Sequence, residues 1–519
     1  MFPLSNNFSE YQNQIPTGYD QSQPNSQGCK RTLHFGKYIE SSDIFNHSDI
    51  NKLILSISNK SELVKMSLVS KNFRKIIKDE FVRRLNYGVT FEQLRGENRP
   101  IEISMIVDFF GCECIQLTKL HLHTKFSKID DGDIELISQK FKNLAYLSIG
   151  GDLDLTNASI NAFKILTSLK SLKLGNGFYG NDGPTDLSFI ESYVNLEILE
   201  IKEFNANFHF LKKCTKLKSL TIKNKELLMA KFPNSNNKNI FRLNECCPSL
   251  RKLTLKNFTN KNLSFLNGSS NLESLTISNF PELINTDSLL SCTSLKELIF
   301  YYCNHENFNF SKLEKWPLLE KIFLYYCYPL VDTTFIEACS QTLKSLTLSG
   351  LTSTPNMQII AQCKNLIKLD LTSCNIKDIT DLRECTHLEF LSLSFNRDPI
   401  EINSLYQLRA LRKLFLVCTD IQDISALRFC PTLEELDLQG SMGIIDISAL
   451  QYCNSLKIIR ISSYYGERNF MNEQNIALIK TYLNPKIEII LEGPIYGVVA
   501  FTMNEPRCMS DIIARKITS

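Results

Sequence analysis

Leu433-Glu434-Glu435-Leu436-Asp437-Leu438-Gln439-Gly440 sets the period of the chain. The same Leu-x-x-Leu-x-Leu frame, with apolar substitutes, begins at Leu117, Leu144, Leu169, Leu196, Leu217, Leu250, Leu272, Leu295, Leu319, Leu343, Leu366, Leu388, Leu411, Leu433 and Leu456, about 24 residues apart. Alternation of apolar and polar residues over so few positions predicts one short strand per frame. The third and fifth positions after the first leucine (Leu436, Leu438) point inward, and the second, fourth and sixth (Glu435, Asp437, Gln439) point out. One such strand cannot bury its apolar side alone, so successive frames stack as a parallel sheet over a continuous core.

Period and frame resemble those of leucine-rich repeats. The expected fold is α/β: a right-handed solenoid with a parallel sheet on its concave side and helical, 3-10 or irregular segments on its convex side. Early repeats of about 25 to 27 residues have room for convex helices, whereas later ones of about 22 or 23 leave room for short turns capped by Asp378, Asp423 and Asp446. The wider gap between Leu217 and Leu250 holds a polar loop at 234–239.

A hydrophobic fraction of 43% over 519 residues supplies one long core. A net charge of +3 gives no support to nucleic acid or a membrane as partner. The opening Met1-Phe-Pro-Leu-Ser-Asn-Asn lacks the apolar region of a signal peptide, and no apolar run reaches membrane-spanning length, so a soluble protein of the cytoplasm, and also the nucleus, is expected.

The 17 cysteines follow the frame. Cys114, Cys214, Cys247, Cys292, Cys363, Cys385, Cys430 and Cys453 sit three residues before a first leucine, a slot that Phe141, Leu166, Tyr193, Trp316 and Leu408 fill elsewhere. This is a buried slot in which free cysteine acts as a small hydrophobe. Cys303, Cys327 and Cys374 lie eight after a first leucine, in the place of Asn396, Thr419 and Ser441, where the side chain is expected to bond the turning backbone. Cys112, Cys114, His121 and His123 do not read as a zinc site, because Cys114 occupies the buried slot and the histidines face outward on a strand. No phosphate-binding loop, nucleophile elbow or His-Glu-x-x-His helix is present, so neither catalytic residues nor a cofactor are expected.

Upstream of the repeats, residues 1–38 are rich in Asn, Gln, Ser and Pro and read as disordered. Ile50, Leu53, Ile54 and Ile57 then share one helix face behind Ser48 as cap. Ser61 opens a second apolar helix with Leu63, Met66, Leu68 and Val69, and Phe73, Ile76 and Ile77 extend into a third. Leu63-Val-Lys-Met-Ser-Leu-Val-Ser-Lys-Asn-Phe73-Arg74 resembles the F-box segment Leu-x-x-x-Ser-Leu-Val-Cys-(Lys/Arg)-x-Trp-(Arg/Lys). Phe45-Asn46-His47-Ser48 falls where that family usually shows Leu-Pro-x-Glu. The resemblance covers about residues 43–80 and implies a small all-α, three-helix segment (39–80) that docks on a Skp-type adaptor of a cullin-RING ubiquitin ligase while the repeats hold a substrate. Carried over by position, the docking residues are Phe45, Ile50, Leu53, Ile57, Leu63, Leu68, Val69 and Phe73. The same apolar residues would also serve as an N-terminal cap on the first repeat. Residues 81–116 read as a helical connector, 117–492 as the solenoid with a last strand at 487–491, and 493–519 as a C-terminal cap.

Among the outward positions, Thr221, Thr254, Thr276 and Thr347 suit a solvated sheet face. Ile299 and Tyr301 in one repeat, and Phe323 and Tyr325 in the next, break that rule, with Tyr302, Tyr326 and Tyr328 at the strand ends. Contiguous exposed aromatics mark an interaction site, unless a tail, loop or neighbouring molecule covers them. Phe390, Phe415 and Val417 make a smaller group further on. Charge is uneven as well. Residues 210–261 carry thirteen Lys or Arg against two acids, and 369–450 carry seven against thirteen. Lys223, Lys252 and Lys256 face outward, either as part of a solvated face or as a seat for an acidic or phosphorylated substrate. The expected function is a non-catalytic substrate receptor of a Skp-cullin-F-box type ligase with a protein substrate; a stand-alone repeat scaffold regulating an enzyme is the alternative. Nucleic-acid binding through the basic stretch is disfavoured by the acidic later repeats.

Overall fold

The computed structural model describes residues 107, 117–175, 187–202, 208–224, 242–283, 285–303, 316–327, 333–351, 353–441, 444, 446–462, 487–493 and 497–502. All belong to one compact unit, Asn59–Ser519. The expected N-terminal segment, the F-box-like helices with all eight docking residues, the connector apart from Val107, the loop at 234–239, Tyr328 and the tail beyond 502 lie outside the described residues.

Each frame forms a strand where its alternation places one. In chain order these are β1 (Lys119–Asp130), β2 (Tyr146–Asp154), β3 (Ser171–Leu174), β4 (Ile198–Lys202), β5 (Ser219–Lys223), β6 (Lys252–Lys256), β7 (Ser274–Ser278), β8 (Glu297–Tyr301), β9 (Lys321–Tyr325), β10 (Ser345–Ser349), β11 (Lys368–Asp370), β12 (Phe390–Ser392), β13 (Lys413–Phe415), β14 (Glu435–Asp437) and β15 (Ile458–Ser462). β16 (Glu488–Gly493) continues the parallel ladder and β17 (Gly497–Thr502) closes it antiparallel. Neighbours in sequence are neighbours in the sheet, and register pairs identical frame positions, as Leu253 with Leu275 and Leu275 with Leu298. Leucines three and five after the first are buried throughout, so the sheet's inner side is one apolar layer. The fold is thus a leucine-rich-repeat stack.

On the turn side the first two connections are helical. α1 (Asp131–Lys140) starts in a capping box, in which the Asp133 amide donates to the Asp130 carboxylate at 3.0 Å and the Asp130 amide donates to Asp133 at 3.2 Å. α2 (Ser159–Ile165) follows. From Ser188 onward the connections are mostly 3-10 turns, as at Ser425–Phe429 and Ser448–Tyr452, interrupted by the short helices α3 (Leu243–Cys246) and α4 (Met357–Ala361). The third repeat therefore turns in 3-10 geometry although its length would admit a helix. The carboxylates of Asp378, Asp423 and Asp446 each accept the amide two residues on, at 2.7 Å, and so open these turns as the spacing suggests.

Wherever it holds a cysteine among the described residues, the slot before the first leucine is buried, and at several positions it also supplies a bond between repeats. The thiols of Cys247, Cys430 and Cys453 donate to the carbonyls of Leu211, Leu405 and Leu427, one repeat earlier, at 3.6, 3.6 and 3.3 Å. The Tyr193 hydroxyl does the same to Phe163 at 2.7 Å. Each of these carbonyls already accepts the amide closing its own turn, as Leu427 does from Cys430 at 2.9 Å, so the thiol takes the second lone pair. Burial pushes these thiols up, to about 11 for Cys385 and Cys430 and to about 12 for Cys214, Cys292, Cys363 and Cys453.

Eight residues after the first leucine runs a second buried column: Phe258, Phe280, Cys303, Cys327, Leu351, Cys374, Asn396, Thr419 and Ser441. Asn396 does the most bonding. Its carbonyl oxygen accepts the amides of Cys374 and Ile376, both at 3.0 Å, and its amide group donates to Leu371 and Leu393 at 2.9 and 2.7 Å. One residue before this column the backbone turns left-handed in nine successive repeats, at Asn257, Asn279, Tyr302, Tyr326, Gly350, Ser373, Phe395, Cys418 and Gly440. There the amide still extends the ladder, Tyr326 donating to Ser349 at 2.7 Å, while the chain leaves the sheet.

One residue after the first leucine, exposed charges alternate in sign along the stack. Arg251 bonds Glu273 at 2.6 Å, Glu273 bonds Lys296 at 3.0 Å, and Glu320 bonds Lys344 at 3.1 Å. Glu434 sits between Arg412 and Lys457. In-register stacking makes opposite signs neighbours, and as exposed pairs they favour the register more than they add stability.

Two outcomes follow from these columns. Removing the Asn396 side chain strands two buried amides and two carbonyls, so Asn396→Ala should cost about 2 to 4 kcal/mol in urea denaturation; a loss below about 0.5 kcal/mol, the range of a neutral surface change, contradicts the column's role. Below the ordinary thiol value of 9.0 folded and unfolded chains both hold the thiol protons. Above it the unfolded chain ionises while the buried thiols do not until about 11 or 12, so the thiols' contribution to stability should be level from neutral pH to about pH 9 and fall from there to about pH 12. A urea midpoint unchanged across that window would contradict this.

Candidate functional site

The open face of the sheet is built from positions two, four and six of each frame. In β8 and β9 it carries Ile299, Tyr301, Phe323 and Tyr325, all half-buried. Register sets Tyr301 beside Tyr325, and their rings stack at 4.6 Å between centroids with 8° between planes. Phe323 lies parallel to Tyr325 at 6.4 Å. Burial raises both tyrosine hydroxyls above their ordinary range, so both stay neutral donors at physiological pH. The sequence-derived patch is therefore brought together as one aromatic surface.

Tyr302 and Tyr326 follow the patch directly in the chain and form a second aromatic pair. Both occupy the left-handed turn, with φ of 52° and 50°, and their rings stack at 5.4 Å and 2°. They remain 51% and 36% exposed. An aromatic residue in that conformation costs about 1 to 2 kcal/mol relative to glycine, which two later repeats use at the same position. At one of these, Gly350, an added Cβ would come within 2.4 Å of the Tyr326 ring, so the ring lies against the glycine. The same conformation recurs in nine successive repeats and so belongs to the turn of the repeat; what singles out Tyr302 and Tyr326 is that two neighbouring repeats place stacked, exposed rings there.

Beyond the patch the open face is less solvated than its composition suggests. Thr347, read as a solvated threonine, is completely buried, and Ser345 and Ser349 on the same strand are nearly so. Small side chains in β10 sit low beside the large Phe323 and Tyr325 of β9, to which they are paired in register. Glu435 and Asp437, outward by register, are also buried, at 8% and 6% exposure. Glu435 bonds Lys413 at 2.7 Å and also bonds Arg460. Desolvation pushes its carboxyl up, yet the two bonds and charges together outweigh it and hold it below the usual range. Phe390 and Phe415 meet at 5.2 Å, and Lys368 lies over the Phe390 ring at 4.7 Å.

The basic end differs. Lys223, Lys252 and Lys256 lie on β5 and β6, with Lys223 beside Lys256 in register. Lys202, next in that column, is held by Glu200 at 3.3 Å. The structure thus joins Lys223 to Lys256 along one edge of the open face, whereas Lys252 begins the opposite edge. On the turn side, Tyr406, Phe429 and Tyr452 are exposed in three successive repeats, a feature that lies outside the strand alternation. No helix among the described residues is long and apolar enough to cross a membrane.

No protein-family model matches the chain, and no curated protein matches it. Solved structures with a similar fold include an internalin of Listeria monocytogenes, 19% identical, over 65% of this chain and 89% of that one, with a TM-score of 0.42. A leucine-rich-repeat protein of Leptospira interrogans is 16% identical over 76% and 100% of the two chains, with a TM-score of 0.43. The plant peptide hormone receptor RGFR1 in complex with RGF2 is 17% identical over 67% and 60%, with a TM-score of 0.44.

If the aromatic surface is a surface and not core, Tyr301→Ala with Tyr325→Ala should lower stability by no more than about 2 kcal/mol, the scale of a stacked pair. Phe300→Ala, a fully buried neighbour on the same strand, should cost about 3 to 5 kcal/mol. Equal losses in chemical denaturation would place the tyrosines in the fold's interior.

Proposed function

We propose that this chain is a non-catalytic receptor that holds a protein partner on the open face of its sheet, and that it serves as the substrate-recognition subunit of a Skp-cullin-F-box type ubiquitin ligase. The observation that carries the first part is the stacked tyrosine pair on the open face of β8 and β9, with a second stacked and exposed pair, Tyr302 and Tyr326, just after the strands. Tyrosine is favoured at binding hot spots because it brings a large rigid area and a polar tip at small entropic cost. The second part is supported by the similarity of Leu63 to Arg74 to the F-box segment and by its place ahead of the repeats. In this reading Phe45, Ile50, Leu53, Ile57, Leu63, Leu68, Val69 and Phe73 contact the Skp-type adaptor, and through it the cullin and RING subunits. Ile299, Tyr301, Phe323 and Tyr325 contact the substrate, which a rigid repeat stack would present at a fixed distance from the ligase.

Co-purification tests the two parts separately. The wild-type chain should retain a Skp-type adaptor, and Leu68→Ala with Phe73→Ala should lose it while keeping the substrate. Tyr301→Ala with Tyr325→Ala should lose the substrate and keep the adaptor. A wild-type chain that binds no adaptor, and whose cellular effect survives deletion of residues 39–80, is instead a stand-alone scaffold.

A further inference from the structure

We propose that the turn side of the stack carries a second binding site, a cavity between the repeats of β6 and β7 that takes a small aromatic ring bearing one hydroxyl, a phenol. It lies apart from the open face and does not rest on the partner-binding reading.

The site begins as a departure from the repeat. Three residues before Leu272, where other frames place Cys292, Leu408 or Trp316, the chain has Ser269. Its backbone keeps the geometry of the slot: the Ser269 amide donates to the Leu266 carbonyl at 2.9 Å, as the Cys292 amide does to Leu289. Only the side chain falls short. In the described frames every other slot residue is buried, including Ser340, whose hydroxyl donates to the Glu337 carbonyl at 3.0 Å. Ser269 is half-buried, and beside it lies a cavity of about 160 Å³, walled by Leu243, Cys247 and Leu250 of one repeat and by Leu266 and Leu272 of the next. The preceding slot residue does not fill it, because the Cys247 thiol donates back to the Leu211 carbonyl.

Two polar atoms define what fits. Ser269 Oγ and Asn244 Oδ1 are buried, belong to residues that line the cavity, and find no hydrogen-bond partner among the described residues. They converge at Gly268, where a φ of 80° and the lack of a side chain let Asn244 lie close: a Cβ there would stand 2.5 Å from Asn244 Nδ2 and 3.6 Å from its Oδ1. An amide oxygen only accepts, whereas a serine hydroxyl donates or accepts. A single ligand hydroxyl therefore satisfies both, donating to Asn244 Oδ1 and accepting from Ser269. A carboxylate would set its charge against the Asn244 oxygen, and an ammonium would lose its hydration against leucines. Volume decides the rest, since a leucine-lined cavity of about 150 Å³ takes one benzene ring. Water suits the cavity less. Several molecules would be needed, each using about three hydrogen bonds, and the four leucine side chains offer none. The phenol can come as a free small molecule or as the tyrosyl side chain of a protein.

Calorimetric titration of the full chain with p-cresol, toluene and N-acetyltyrosine amide tests this. p-Cresol should bind saturably with a Kd of about 1 mM or below, within reach of a ligand of its size, and should raise the melting temperature. Toluene, which lacks the hydroxyl, should bind at least about tenfold more weakly. Binding of p-cresol but not of the tyrosine amide identifies a free phenol as the ligand class; binding of both extends it to a tyrosyl side chain. Ser269→Leu, which supplies the residue that Leu166 and Leu408 hold at this slot, should abolish p-cresol binding and leave the melting temperature equal or higher. Asn244→Ala should keep toluene binding and bring p-cresol down to it. The proposal is overturned if p-cresol shows no saturable binding, if toluene binds the wild-type chain equally well, or if p-cresol binding survives in a folded Ser269→Leu chain.

Discussion

Every feature of this molecule depends on in-register stacking of parallel strands. Because β1 to β16 pair in chain order with identical frame positions opposed, each side chain sits about 4.8 Å from its equivalent in the next repeat. A residue is therefore judged against its counterpart about 24 residues away as much as against its chain neighbours. Columns, rather than local motifs, are the units of this structure.

Different columns meet that constraint with different chemistry. Leucines simply pack. Several slot residues with a hydrogen-bonding tip send it back to the preceding repeat, so that Cys453 and Tyr193 reach a carbonyl one repeat earlier although they differ in size, whereas Cys214 and Cys363 bond within their own turn. The column eight after the first leucine changes along the stack, from Phe258 and Phe280, whose rings approach to 5.5 Å, through cysteines to Asn396, Thr419 and Ser441. In the earlier repeats the hydrogen-bonding role lies one residue before it: Asn279 donates to the Asn257 side chain at 2.9 Å, and Asn257 donates to the Asn224 carbonyl at 2.6 Å. The same backbone need, satisfying groups freed where the chain leaves the sheet, is thus met from two adjacent columns.

Stacking also governs what the face offers a partner. Like residues placed in register amplify each other. Two tyrosines become a pair of stacked rings, and two lysines lie side by side in the ladder. Opposite residues cancel, as where Glu435 is enclosed by Lys413 and Arg460. Surface chemistry is consequently concentrated where the frame repeats itself, and muted where it alternates.

The sequence by itself determined the strands, their register and the inward leucines, because a period near 24 and an alternation of two leave no other side for the apolar residues. It determined the buried cysteine slot, the turn caps at Asp378, Asp423 and Asp446, and the outward direction of Tyr301, Tyr325, Lys223 and Lys256, for the same reason. Only the tertiary structure decided which outward residues stay accessible. Thr347 disappears beside large neighbours, and Glu435 and Asp437 are buried although alternation points them out. It also decided that in nine successive repeats the chain turns left-handed as it leaves the sheet, where Tyr302 and Tyr326 stack on each other and stay exposed, and that single charges scattered through the sequence line up as an alternating row. These are properties of neighbours in space, and a neighbour's size, charge and backbone conformation act across the ladder, where one-dimensional alternation carries direction alone.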